Sequence, residues 1–182
     1  MNSTNDTCPE CSREEAKISP VMVLSVENKG ILNASSCILK LYQLEKTEKH
    51  EARLRQMVHV LPEMVSHFRK KEELFLPLYA ELGFDSDKEK AKDKDILDGI
   101  ERILLLEKRC SPYEFEKEFL DFCRRSVLLA KEENTGFLIT CYHNFTLDEM
   151  DEIGRRIPDY GYTFLSVRPK PEDLLSRTIE CD

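Results

Sequence analysis

At 182 residues, with 41% hydrophobic and 34% charged side chains, 6 Gly, 8 Pro and no Trp, the chain suits one domain of long amphipathic helices better than a turn-rich β fold. A formal net charge of −8 argues against binding to phosphate backbones, and no apolar run approaches the roughly 20 residues of a membrane span. Neither nucleic acid nor membrane is therefore an expected partner.

The polar opening MNSTNDTCPECSREEAK has no period and no apolar signal core, so residues 1–17 are expected to be a loose tail of a cytoplasmic protein. Seven cysteines follow no framework spacing and predict free thiols. Cys8-Pro-Glu-Cys11 is a lone CxxC, without the second pair that a tetrahedral site needs. Thiol chemistry there, or at Cys37 and Cys123, has little to support it.

The helical rhythm begins near Ile18. Leu24, Ile31 and Ile38 recur every seven residues, with Asn28, Ala34 and Leu41 between them, and predict a first helix to about Lys46. A second helix is expected from about His50 to Leu82, with Leu54, Val58, Leu61, Val65, Phe68, Phe75 and Tyr79 on one face. Pro62 and Pro77 fall inside it and predict kinks or a local break. Gly83 should close it in a left-handed cap, and Ser86 with Glu89 should open the next helix as a capping box. Ile96, Ile100 and Ile103 then mark the buried face of a third helix ending near Lys108. Ser111-Pro112-Tyr113-Glu114 starts a fourth, lined by Phe115, Phe119, Phe122, Val127, Ala130 and Phe137 to about Cys141. Thr146 and Glu149 form another capping box, for a short helix to about Ile157. Residues 160–167 are aromatic and β-branched and should be an extended strap, with 168–182 as a C-terminal tail. The expected architecture is all-α: an antiparallel four-helix bundle over 18–167, with a short extra helix and an extended C-terminal tail.

Polar residues on apolar stripes are the functional candidates, because a buried carboxylate or imidazole is costly unless paired. Glu72 lies between Phe68 and Phe75, and Glu133 between Ala130 and Phe137, so both should point inward. Asp93 stands one turn before Ile96, and Asn28 interrupts the first stripe. Other readings stay open for each. Glu72 also fits a solvated charged face within Arg69-Lys70-Lys71-Glu72-Glu73, Asp93 fits a helix-dipole position, and Asn28 fits a buried register-setting amide. His67 flanks the second stripe, in line with Met64 and Lys71, and stands five residues from Glu72, or about 140° around a helix. His50, His59 and His143 match no ligand spacing. An internal echo pairs Lys71-Glu72-Glu73-Leu74-Phe75 with Lys131-Glu132-Glu133-Asn134-Thr135. Inward glutamates on paired helices are a common arrangement of two-centre carboxylate sites.

These stretches resemble the hemerythrin-like family, in particular the branch found in anaerobic microbes and often joined to PAS sensory domains. The resemblance is carried by His67-Phe68-Arg69-Lys70-Lys71-Glu72-Glu73 running on to Leu76-Pro77-Leu78-Tyr79, by residues 19–28 ending in Glu27-Asn28, by Lys92-Asp93-Lys94-Asp95-Ile96, by Lys131-Glu132-Glu133-Asn134, and by residues 147–153 with Asp159-Tyr160-Gly161-Tyr162. It implies a non-heme di-iron centre held by histidines and carboxylates, and oxygen or nitric-oxide sensing, carriage or iron handling. His67, Glu72, Glu133 and Asp93 are the metal residues it leaves. The family's other histidine positions hold Ser19, Met22, Leu128 and Ala130, with Lys94 beside Asp93. The expected function is thus metal binding at a partly lost site, with iron and a diatomic gas as partners. The alternative is a metal-free bundle serving interaction or scaffolding, repacked by Met22, Leu128 and Ala130, with a protein partner or a homodimer. No nucleophile–base pair, phosphate loop or dinucleotide fingerprint appears, so no enzyme is expected.

Overall fold

A computed structural model describes residues 19–43, 48–109 and 112–164. The expected tails, 1–17 with Cys8 and Cys11 and 168–182, lie outside the described residues. Among the described residues there are five helical rods and no strand: α1 Pro20–Gln43, α2 over 48–81, α3 Ser86–Arg109, α4 over 112–144 and α5 Leu147–Tyr160. None is long and apolar enough to cross a membrane.

Local chemistry explains most boundaries. α1 opens on Pro20, whose missing N–H is a donor that a first turn leaves unpaired anyway. It buries Leu24, Ile31, Ile38 and Leu41 as its heptad predicts, and Val21, Val23 and Val26 besides, because it packs along α4 and also against α2 and α5. In α2 neither proline breaks the rod. Pro62 sits in a single 3₁₀ turn, Leu61–Glu63, and Pro77 follows a π turn, Lys71–Phe75, that ends where the missing N–H would interrupt the ladder. Gly83 takes φ 83 beyond the end of α2, as expected of its cap. The cap of α3 differs from expectation: Asp85 Oδ1 accepts from the Lys88 amide at 2.9 Å, while Glu89 turns inward and forms no box with Ser86. The box of α5 does form, with Thr146 N–H donating to Glu149 Oε2 at 2.7 Å and the Glu149 amide donating to Thr146 Oγ1 at 3.3 Å.

α4 lies along α1 on one side and α3 on the other. The last turns of α2 pack on α3, α2 also meets α1, and α5 rests on α1 and on the 64–75 part of α2. Past Tyr160 the chain leaves the helix and runs over α1 and α2, turning at Thr163 and Phe164 rather than staying extended. The core falls into two apolar clusters. One gathers Ile31, Ile38, Met64, Phe68, Ile96, Ile100, Ile103, Phe119, Phe122 and Ala130, among others. The second gathers Val21, Leu24, Leu74, Phe75, Leu76, Phe137, Leu138, Ile153 and Ile157, among others. On three helices the changeover falls on a charged residue: Glu27 between Leu24 and Ile31, Lys71 between Phe68 and Leu74, and Glu133 between Ala130 and Phe137. A layer of buried charge therefore separates the two apolar clusters.

Candidate functional site

Four rods supply the layer, and two π turns aim its centre. A π turn starts at Lys71 in α2 and another at Glu133 in α4, and their closing residues, Phe75 and Phe137, meet with ring centroids 6.3 Å apart. The internal echo is thus structural, but in a different register from the one the sequence suggests. Phe68, Lys71 and Phe75 correspond to Ala130, Glu133 and Phe137, so Lys71, not Glu73, is the counterpart of Glu133.

His67 is fully buried and bridges two glutamates, with Nδ1 3.0 Å from Glu27 Oε2 and Nε2 3.1 Å from Glu133 Oε2. Burial alone would lower its pKa, but hydrogen bonds to Glu133 and Glu27 and their charges push it up to about 9. Near neutrality it is an imidazolium donating from both nitrogens. Lys71 Nζ donates to Glu133 Oε1 at 2.6 Å, Asp93 Oδ1 at 2.8 Å and Glu89 Oε2 at 3.1 Å, with the Phe137 ring centroid 4.8 Å away. Lys70 Nζ donates to Glu27 Oε1 and, at 2.6 Å, to the Gly161 carbonyl. Both lysine side chains are 0% exposed.

The electrostatics follow from this pairing. Burial works to raise Glu133, but Lys71 and then His67 overcome it and hold the carboxyl at about 2. For Glu27, too, burial is opposed by the hydrogen bond from His67 and the charges of His67 and Lys70, and the net result is a lowered carboxyl. Asp93 goes the other way. Burial pushes it up, Lys71 pulls it back and Glu133 adds to the rise, leaving it at about 7. Glu27, Glu89, Asp93 and Glu133 face Lys70, Lys71 and His67, with Lys92 Nζ donating to the other oxygen of Glu89 at 3.0 Å from the rim of the layer. Asp93 Oδ2 and Asn28 Oδ1 are buried without a hydrogen-bond partner among the described residues.

Of the expected metal residues, His67, Asp93 and Glu133 come together, and Glu72 does not. Glu72 is exposed, because the π turn puts Lys71 on the inner face and turns its neighbour outward. Glu72→Ala is accordingly expected to change unfolding free energy by less than about 0.5 kcal/mol in a urea titration, as at an ordinary surface position. Lys94 is not the cation near Asp93, since it is exposed and paired with Asp98 at 2.6 Å on its own helix. Met22 and Leu128, expected to repack the interior, are 40% and 58% exposed, and only Ala130 of that trio is buried. Asn28 is fully buried and donates to Asn134 Oδ1 at 3.2 Å, in keeping with a buried amide. Cys37 and Cys123 are buried and form no disulfide, and burial pushes the Cys123 thiol up to about 12. That suits packing and not thiolate chemistry.

These residues do not fit a di-iron centre. Both nitrogens of His67 and both oxygens of Glu133 are already engaged, and the Lys71 ammonium stands where three carboxylates converge. No group of three or more His, Cys, Asp or Glu side chains among the described residues is placed to hold a metal ion. No protein-family model and no curated protein matches the chain. The crevice lined by Asn28, Ile31, Met64, Phe68, Ser126, Leu129, Ala130 and Glu133 has no room for a water molecule.

Sequence reasoning passed over Glu27, Lys70, Lys71 and Glu89. Lys71 had a readable signal, since it lies one helical turn from His67 and on the same side. Glu27 had one in its fixed spacing from Leu24 and Ile31.

Proposed function

We propose that the chain is a hemerythrin-like four-helix bundle in which lysine ammonium groups do the charge-neutralising work of metal ions, and that it serves as a metal-free interaction or scaffold module. The observation that carries this reading is Lys71 Nζ bonded to three carboxylates, two of them from expected metal residues, Asp93 and Glu133. The neighbour relations of the rods support the bundle: α1 beside α4, α4 beside α3, α3 beside α2 and α2 beside α1, a closed ring with short connections. A buried ion network that joins four rods also suits a structural role, because it fixes which faces of the helices meet. Catalysis is not part of this reading, since the buried basic nitrogens of the layer are all committed to carboxylates.

Elemental analysis of anaerobically purified protein, with an absorbance spectrum, tests the reading. The expected result is iron, manganese and zinc each far below one equivalent per chain, with no iron–ligand absorption. About two irons per chain, lost on His67→Ala, would overturn it in favour of a working metal centre.

A further inference from the structure

Beyond the end of α5, four residues do something that packing of the rods does not require. The Thr163 amide donates to Glu27 Oε1 at 2.9 Å, the same oxygen that takes Lys70 Nζ, and Thr163 Oγ1 donates to the Glu63 carbonyl at 3.2 Å. Lys70 in turn donates to the Gly161 carbonyl at 2.6 Å, and Ser66 Oγ to the Tyr160 carbonyl at 2.6 Å. A cation at the carbonyl end of α5 is favourable in itself. These bonds hold the chain across the Glu27 and Lys70 end of the charge layer.

The seat of this segment is narrow. Its apolar anchors are Tyr162, packed against the second apolar cluster, and Phe164, which rests against Gly30 of α1 so closely that a Cβ on Gly30 would lie 3.0 Å from Phe164 Cδ2 and 3.3 Å from its Cβ. Phe164 itself has φ 57, a left-handed conformation that a non-glycine residue holds only when its surroundings impose it. Polar bonds to two ionised groups and two partly buried aromatic anchors, one of them strained, describe a closure whose seat can be loosened at a single position.

We propose that residues 161–164 are a lid over the Glu27–Lys70 pair, seated on the notch at Gly30, whose opening exposes the Lys70 amine to solvent while the rods stay folded. Partial openings of this kind are local unfolding events that cost less than unfolding the whole chain. Lid and ion pair are thermodynamically reciprocal, because each supplies a bond that the other needs.

Full-length protein carrying Phe164→Ala or Gly30→Ala tests this, since neither change touches a charged group and the second favours α1 by helix propensity. Amide hydrogen exchange at Thr163 and acylation of Lys70 by an amine-reactive reagent, located by mass spectrometry, are the readouts. Both variants are expected to speed exchange at Thr163 and labelling at Lys70 together by tenfold or more, with the amides of Phe119 and Phe122 as protected as before. Unchanged rates, Thr163 exchange that rises without Lys70 labelling, or loss of protection at Phe119 and Phe122 in both variants would each overturn the lid.

Discussion

Lys71→Ala is expected to lower stability at pH 7 by about 3 to 5 kcal/mol, the usual consequence of removing one partner from a buried ion network. The reason is what stays behind: Glu89, Asp93 and Glu133 converge on the vacated point, with His67 left beside Glu133, Lys92 at the rim beside Glu89, and no cation beside Asp93. Set against the total of about 5 to 15 kcal/mol that a domain of this size has, the loss brings the chain close to unfolding. The same variant should gain what the parent lacks, a place for a cation. Manganese or zinc ions at a hundred times their dissociation constant would return about 2.7 kcal/mol, seen as a rise in melting temperature that the parent does not show. Lys71→Met is the control, because it removes the same charge yet fills the space, so it should be destabilised without metal rescue. A Lys71→Ala protein as stable as the parent at pH 7, with no added ion, would mean that the lysine does not neutralise the three carboxylates.

The way Lys71 escaped the sequence reading shows where pattern stops. Helix positions, the Thr146–Glu149 box, the Gly83 cap and the Ile96, Ile100, Ile103 face are local properties, and each was legible. Asp93 and Glu133 were legible as polar interruptions of apolar stripes, whereas periodicity places His67 only on the flank of one and does not foresee its full burial. Lys71 shares a side with His67, but that signal alone does not mark it as buried, because lysines are rarely buried unless paired and its partners lie 18 to 62 residues away on other helices. Phe68 and Phe75 leave both Lys71 and Glu72 on the flank of the stripe, and periodicity alone cannot choose between them. The π turn chooses Lys71, and a regular 3.6-residue count does not foresee a π turn. For Glu27 the spacing from Leu24 and Ile31 pointed inward, but its full burial did not follow from that spacing. It adjoins Asn28, and both are fully buried because α1 meets three other rods, a surrounding that a single amphipathic stripe does not imply.

Stability should peak on the acid side of neutrality, in contrast to the broad plateau between about pH 5 and 8 of most proteins. Asp93, His67 and Glu133 carry the largest shifts in this range; Glu27 is lowered as Glu133 is, and burial lowers Lys70, which works against the decline at high pH. The Asp93 carboxyl rises from 3.8 unfolded to about 7 folded, so the folded chain binds the extra proton, and the stability this contributes is complete below 3.8 and lost as pH rises through 7. His67 rises from 6.5 to about 9, so its contribution is complete below 6.5 and lost as pH rises through 9. Glu133 falls from 4.5 to about 2, so its contribution is present above 4.5 and lost as pH falls through 2. The three windows overlap best near pH 5. A tenfold change in a group's proton affinity on folding is worth about 1.4 kcal/mol, so the decline from pH 5 to 9 should amount to a few kcal/mol. Urea midpoints at pH 5, 7 and 9 should fall in that order. Asp93→Asn keeps the shape and the acceptor for Lys71 but removes the titration, so it should flatten the step from pH 5 to 7 and leave the step from 7 to 9, which belongs to His67. A parent midpoint that rises from pH 5 to 7 would show that Asp93 carries no proton in the folded chain.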